Sequence, residues 1–191
     1  MDKLIREIQN CTLCIKSLPL GPKPIIAAGR KSKIIIIGQA PGKVVHHTGI
    51  PWNDKSGDTL RKWLGVDEKT FYNTSCFALI PMGFCYPGKN KTGDLPPRPE
   101  CAPQWHSKLL SYMKDVKLIL LIGNYSQQYY LKEKALTTLT ETVKQYKNYL
   151  PRYFPLPHPS PRNNIWQAKN KWFVSTVLPD LQKRVAKILS L

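Results

Sequence analysis

The chain has 191 residues, enough for one well-buried core and too few for two of ordinary size, so a single domain over residues 1–191 is expected. Its 29 lysines and arginines against 12 aspartates and glutamates leave a formal charge of +17, a field that points to an anionic polymer as partner and away from a neutral small molecule. The longest uninterrupted apolar run, Leu118 to Ile122, is far short of the roughly 20 residues of a membrane span, so no spanning segment is predicted.

Charge begins at Asp2, and the first residues lack the apolar stretch of a secretory signal. A cytoplasmic, reducing setting is therefore expected, in which cysteines serve metal or cluster ligation rather than disulfides. Leu4, Ile5 and Ile8 have helical spacing over residues 2–9, and this short helix delivers Cys11-Thr12-Leu13-Cys14. A proline-glycine linker, residues 19–24, precedes a buried, β-branched strand over 33–37 that stops at Gly38. Ser56 is the expected N-cap of a helix over 57–64, closed by Gly65.

Residues 77–80 read as a second strand, 86–99 as a long irregular loop, 101–113 as a helix and 116–122 as a third strand ending at Gly123. Asn124 is the expected cap of a helix over 125–131, and the lysine-rich stretch 132–148 reads as a solvated connection or helix face. A fourth strand over 153–156 leads into His158-Pro159-Ser160-Pro161-Arg162-Asn163, and a last helix over 172–189 must be kinked or interrupted by Pro179. Alternating strands and helices predict a three-layer α/β/α sandwich around a central, mostly parallel four-stranded sheet. In such sheets ligands gather at the carboxyl ends of strands, so the loops after the first and fourth strands are expected to share a pocket.

Those two loops carry a resemblance. Gly38-Gln39-Ala40-Pro41-Gly42 is similar to the first motif of the iron-sulfur families of the uracil-DNA glycosylase superfamily, and His158 to Asn163 resembles the second motif of its single-strand-selective monofunctional members. The resemblance implies a base-excision repair enzyme that everts uracil or a related damaged base from DNA and hydrolyses its N-glycosidic bond. It implies that His158, acting neutral, donates a hydrogen bond to the departing base as negative charge builds there. Ser160 would bond a strand phosphate, Pro161 and Arg162 would fill the gap left by the everted nucleotide, and Asn163 would also contact DNA, with Lys43 on the basic rim. Gly38, Ala40, Pro41 and Gly42 would approach the base with backbone, and Trp52 would supply an aromatic face.

One iron-sulfur family has a glutamate where this chain has Gln39, so no acid stands there to polarise water, and reading of the base falls to Gln39 and backbone groups. The segment 49–58 is similar to a sibling family whose acid lies slightly downstream, which nominates Asp54 over Asp58 as the carboxylate that orients water and stabilises the cationic sugar. Cys11, Cys14, Cys85 and Cys101 match the cysteine spacing of the cluster-containing families, implying a [4Fe-4S] cluster; zinc and unligated thiols are the alternatives, and Cys76 stands outside the set. A monomer acting on DNA is expected. The rival class is a nucleic-acid-binding relative without efficient chemistry. A small-molecule hydrolase accounts for neither the +17 charge nor the proline-arginine pair, and no Walker loop, G-x-S-x-G elbow or H-E-x-x-H helix supports it.

Overall fold

Four consecutive isoleucines, each buried on both sides, make Ile34–Ile37 the central strand β1. In the computed structural model, which describes residues 1–91 and 93–190, the order is α1 (Asp2–Gln9), β1, α2 (Lys43–Thr48), α3 (Lys55–Leu64), α4 (Glu68–Tyr72), β2 (Phe77–Leu79), a hairpin of β3 (Lys89–Asn90) and β4 (Gly93–Asp94), α5 (Cys101–Tyr112), β5 (Leu118–Ile122), α6 (Asn124–Leu131), α7 (Leu139–Lys144), β6 (Tyr153–Leu156), α8 (Asn164–Lys169) and α9 (Leu178–Leu189). No described helix is long and apolar enough to cross a membrane.

The main sheet has the order β2-β1-β5-β6, and all its pairings are parallel, with Ile34 opposite both Phe77 and Leu118 and Ile122 opposite Leu156. Period-two alternation divides the core. Ile35, Ile37, Ile119 and Leu121 pack with Leu4 and Ile8 of α1 and Trp105 and Leu109 of α5. Ile34, Ile36, Leu118 and Leu120 pack with Leu60 and Trp63 of α3 and Leu181 and Val185 of α9. The result is the expected three-layer sandwich. The direction in which successive strands are added to the sheet reverses at β1, with β2 placed on one side and β5 and β6 on the other, and ligands collect at the carboxyl ends flanking such a switch.

Several local expectations are corrected. Asp54, not Ser56, caps α3: its extended backbone (φ −155°) lets the carboxylate accept from the Gly57 N–H at 2.9 Å, and the helix starts at Lys55. Asn124 is the first residue of α6, behind Gly123 with φ 82°. The stretch 132–148 is mostly exposed and includes a short helix, in keeping with a solvated helix face, but it also has a buried side. Thr138 and Glu141 form a reciprocal capping box that starts α7, which buries Thr142 and Val143, and Tyr146 and Tyr149 follow into the core. Pro179 interrupts the last helix as expected, through a π-helical turn at Phe173–Val177 that leads into α9. The loop 86–99 contains the β3-β4 hairpin, whose turn is held by Asn90 Oδ1 accepting from the Gly93 N–H at 3.0 Å.

Beneath the carboxyl edge of the sheet lies His106 of α5, 2% exposed, with Nδ1 2.6 Å from the Tyr130 hydroxyl and Nε2 3.1 Å from the Pro81 carbonyl. With Nε2–H donating to Pro81 and Nδ1 accepting from Tyr130, the ring is a neutral connector. Burial pushes it down from 6.5 to about 4, against a smaller opposing effect of the Pro81 bond. Between those values the unfolded chain binds a proton that the folded chain refuses. Stability therefore falls as pH drops through that window, by up to about 3 kcal/mol. Burial also lowers His46 and His158, which act in the same direction. Denaturant titrations from pH 7 to 4 are expected to show a steeper acid loss in the wild type than in His106→Gln, which keeps a donor for Pro81 but does not titrate; parallel curves would remove His106 as the cause.

Candidate active site

The pocket is built outward from the end of β1. Beyond the strand, Gly38 and Gln39 carbonyls accept from the Met82 and Gly83 N–H groups at 2.9 and 3.0 Å, so the first motif follows the sheet before it leaves it. Gln39 then donates through Nε2 to the Leu95 carbonyl at 3.2 Å, tying the hairpin loop to the strand end. Trp52 carries a left-handed backbone, φ 58°, uncommon for a residue with a bulky side chain. Its indole lies on Gly38, where a Cβ would stand 2.7 Å from Cζ2, and its carbonyl packs so tightly on Gly57 that a Cβ there has no room. Two residues on, Asp54 is fixed by its capping bond, leaving its second oxygen for the pocket.

The opposite wall is the loop after β6. Buried Gln127 donates through Nε2 to the carbonyls of Leu121 and Leu156 at 3.3 and 2.9 Å, bracing the ends of β5 and β6. Asn163 Nδ2 donates to the His158 carbonyl at 2.7 Å, and Ser160 Oγ accepts from the Arg162 N–H at 3.3 Å, so the second motif closes on itself. The His158 ring lies 5.8 Å from that of Trp52, tilted by 31°. A base interleaved between the two would need two van der Waals gaps, about 7 Å in all, so the rings form one continuous wall instead of a sandwich. Burial lowers the pKa of His158, partly offset by the Asp54 carboxylate, and the ring is neutral at pH 7.

Between these walls is a cavity of about 260 Å³. A roughly 150 Å³ apolar cavity accepts a benzene-sized ring, so this one has room for a nucleobase. Gly38, Gln39, Ala40, Pro41, Gly42, Trp52, Asp54, His158, Ser160 and Arg162 all line it. Pro161 and Asn163 stand just outside in the turn that closes the second motif. Lys43 is the first residue of α2 and faces an adjoining groove. Asp58 is turned away and paired with Arg61.

The sequence reading missed Asp94, which also lines the cavity. Partial burial raises its carboxyl, Arg162 and Lys89 pull it down, and Asp54 raises it again, so two carboxylates sense each other across the pocket. Next to it, Gly93 has φ 146°, and a Cβ there would stand 2.7 Å from a terminal nitrogen of Arg162. The hairpin thus meets the second motif at the pocket mouth. Asn90 to Gly93 is a turn signal, but strands of two residues are too short to read by periodicity.

The four cysteines form a separate site. Cys11, Cys14, Cys85 and Cys101 line one small cavity with Phe84, Arg98 and Trp105, and none is in a disulfide. Burial pushes the Cys85 thiol up to about 11 and that of Cys101 to about 12, with further upward pushes from the neighbouring thiols. Thiolates here require a compensating cation. The buried Trp105 indole N–H has no hydrogen-bond partner among the described residues. No three described His, Cys, Asp or Glu side chains are grouped as ligands of a single metal ion. Four thiols lining one cavity are an all-sulfur donor set, the kind that serves zinc and iron-sulfur clusters alike.

A parallel α/β sheet whose strand ends hold a neutral histidine, a fixed carboxylate and an indole around a ring-sized cavity is a nucleobase-scale binding architecture on a strongly basic chain. The sequence model of the uracil DNA glycosylase superfamily matches residues 26–182, and the chain belongs to that superfamily. The matched span contains both motif loops, Cys85 and Cys101, and leaves Cys11 and Cys14 outside it.

Because Gly57 abuts the Trp52 carbonyl, Gly57→Ala is expected to cost about 2 kcal/mol by overpacking, despite the better helix propensity of alanine. Chemical denaturation checks this; an alanine variant as stable as the wild type would show that the Trp52 turn is not fixed by this contact.

Proposed function

We propose that the protein is a monofunctional DNA glycosylase that hydrolyses the N-glycosidic bond of an everted uracil or related deaminated base. The observation that supports this best is the convergence of Trp52, Asp54 and His158, from distant parts of the chain, on one cavity. An everted base lies against the Trp52-His158 wall. His158, neutral, donates to the base oxygen as negative charge develops there, which avoids the cost of an imidazolium in a buried site. Asp54 faces the sugar, where its charge stabilises the cationic transition state and its outward oxygen orients water. Its capping bond holds the carboxylate in place before the reaction begins. Pro161 and Arg162 enter the gap in the strand, and Ser160 and Lys43 hold phosphates.

Asp94 is the rival for the acid, and a paired substitution separates the two. Asparagine caps helices as well as aspartate does. Asp54→Asn is therefore expected to keep its stability to within about 0.5 kcal/mol and to lose at least about tenfold in single-turnover base release, equivalent to about 1.4 kcal/mol. Asp54→Ala also loses about 1 kcal/mol of stability. Asp94→Asn is expected to retain release; the reverse pattern would transfer the role to Asp94. Substrates are single- and double-stranded oligonucleotides containing uracil, hypoxanthine, xanthine or oxidised pyrimidines. Binding without release from any of them favours the non-catalytic relative, a reading supported by Gln39, whose amide is engaged with Leu95 where one sibling family has an acid.

We also propose that Cys11, Cys14, Cys85 and Cys101 hold a [4Fe-4S] cluster, which fastens the segment after α1 to the start of α5. Anaerobically purified protein is expected to be brown, to contain iron and acid-labile sulfide, and to lose both colour and thermal stability in Cys85→Ser. Colourless protein carrying stoichiometric zinc would support the zinc alternative, and protein with neither metal would refute ligation.

A further inference from the structure

Two open grooves of about 560 Å³ each lie on the surface outside the pocket, and their charge differs. The first mixes Asp58, Asp67 and Glu68 with Arg61 and Lys62, as an ordinary solvated surface does. The second is lined by Lys16, Lys43 and Lys89 and, among the described residues, by no carboxylate, over walls that include Pro19, Leu20 and Pro87. Leu20 is 44% exposed there, a large apolar side chain beside three cations.

This second groove adjoins the pocket through neighbouring residues. Lys43 directly follows Gly42, which lines the pocket, and Lys89 opens the hairpin whose other strand ends in Asp94, also a pocket residue. Leu95 lines the groove while its carbonyl holds Gln39 on the pocket side. The far wall comes from the segment after Cys14. Pro19 packs so closely on Gly88, 3.1 Å from where a Cβ would be, that this segment and the hairpin base form one surface. A concave surface with charge of one sign concentrates an anionic chain, and apolar walls suit sugar and base faces without selecting sequence.

We propose that this groove is the track for the single DNA strand on one flank of the everted nucleotide, with Lys16, Lys43 and Lys89 on successive phosphates. The proposal rests on the nucleic-acid reading above and adds a site which the two motif loops do not supply. It also gives the proposed cysteine cluster a second consequence, since Leu18 lines both the cysteine cavity and this groove.

The test uses fluorescence anisotropy with single-stranded oligonucleotides that carry a tetrahydrofuran abasic analogue and are lengthened stepwise on the 5′ or the 3′ side. For the wild type, lengthening on one side only is expected to strengthen binding. Lys16→Gln/Lys89→Gln is expected to lose that gain and to reduce the slope of log affinity against log salt by about 1.4, the value for two single-strand phosphate contacts. Lys62→Gln, in the mixed groove, is expected to change neither. A double variant that keeps both the one-sided gain and the full salt slope overturns the track, even if the wild type releases bases normally. If the wild type releases no base but shows the one-sided gain and its loss in the double variant, the enzymatic reading fails and the track stands.

Discussion

The site depends on one contact: the Trp52 turn pressed between two residues without a side chain. Gly38 accepts the indole, Gly57 accepts the carbonyl, and the backbone between them is held at a positive φ that few large residues adopt. From that turn follow the position of Asp54 at the start of α3, the ring wall shared with His158, and the volume left between the two motifs. Strain of this kind persists only where the surroundings over-determine it, and here β1 and α3 both do so.

The electrostatic design divides into dry and wet halves. His158 lies where burial keeps an imidazole uncharged, whereas Asp54 spends one oxygen on a backbone N–H and keeps the other for the cavity. Arg162 and Lys89 stand close enough to act on Asp94 at the mouth, opposing the upward push of burial and of Asp54. A chain of +17 brings anionic polymers near from any direction. Orientation is left to local features such as the hairpin and the second motif.

Much of the architecture was legible because strong signals coincided with it. The isoleucine run, the apolar stretch before Gly123 and the short strand before His158 are three of the four sheet strands, and Gly65 ends its helix with φ 67° as its position suggested. Asp54 was legible as a candidate acid but not as a cap, because aspartate and serine both cap and Ser56 stood closer to the apolar positions. The lysines of 132–148 mark its solvent-facing side, while its buried side was less legible, although Thr138-Leu139-Thr140-Glu141 spells a capping box and Val143, Tyr146 and Tyr149 follow at core-facing intervals. Asp94 was illegible for a physical reason. A two-residue strand has no periodicity, and only tertiary packing brings it to Arg162. The separation of Trp52 and His158 was likewise a matter of packing: the sequence put both at the pocket, and only the structure shows their rings 5.8 Å apart and tilted by 31°.

The capping bond of Asp54 has an evolutionary corollary. Selection on folding alone favours a short polar acceptor at this position, whether or not any chemistry is under selection. A descendant that had abandoned catalysis would drift among Asp, Asn, Ser and Thr here, while His158, which starts no helix, would be free to vary. An aspartate retained at position 54 is therefore a poor record of enzymatic ancestry, and the identity of residue 158 is the better one.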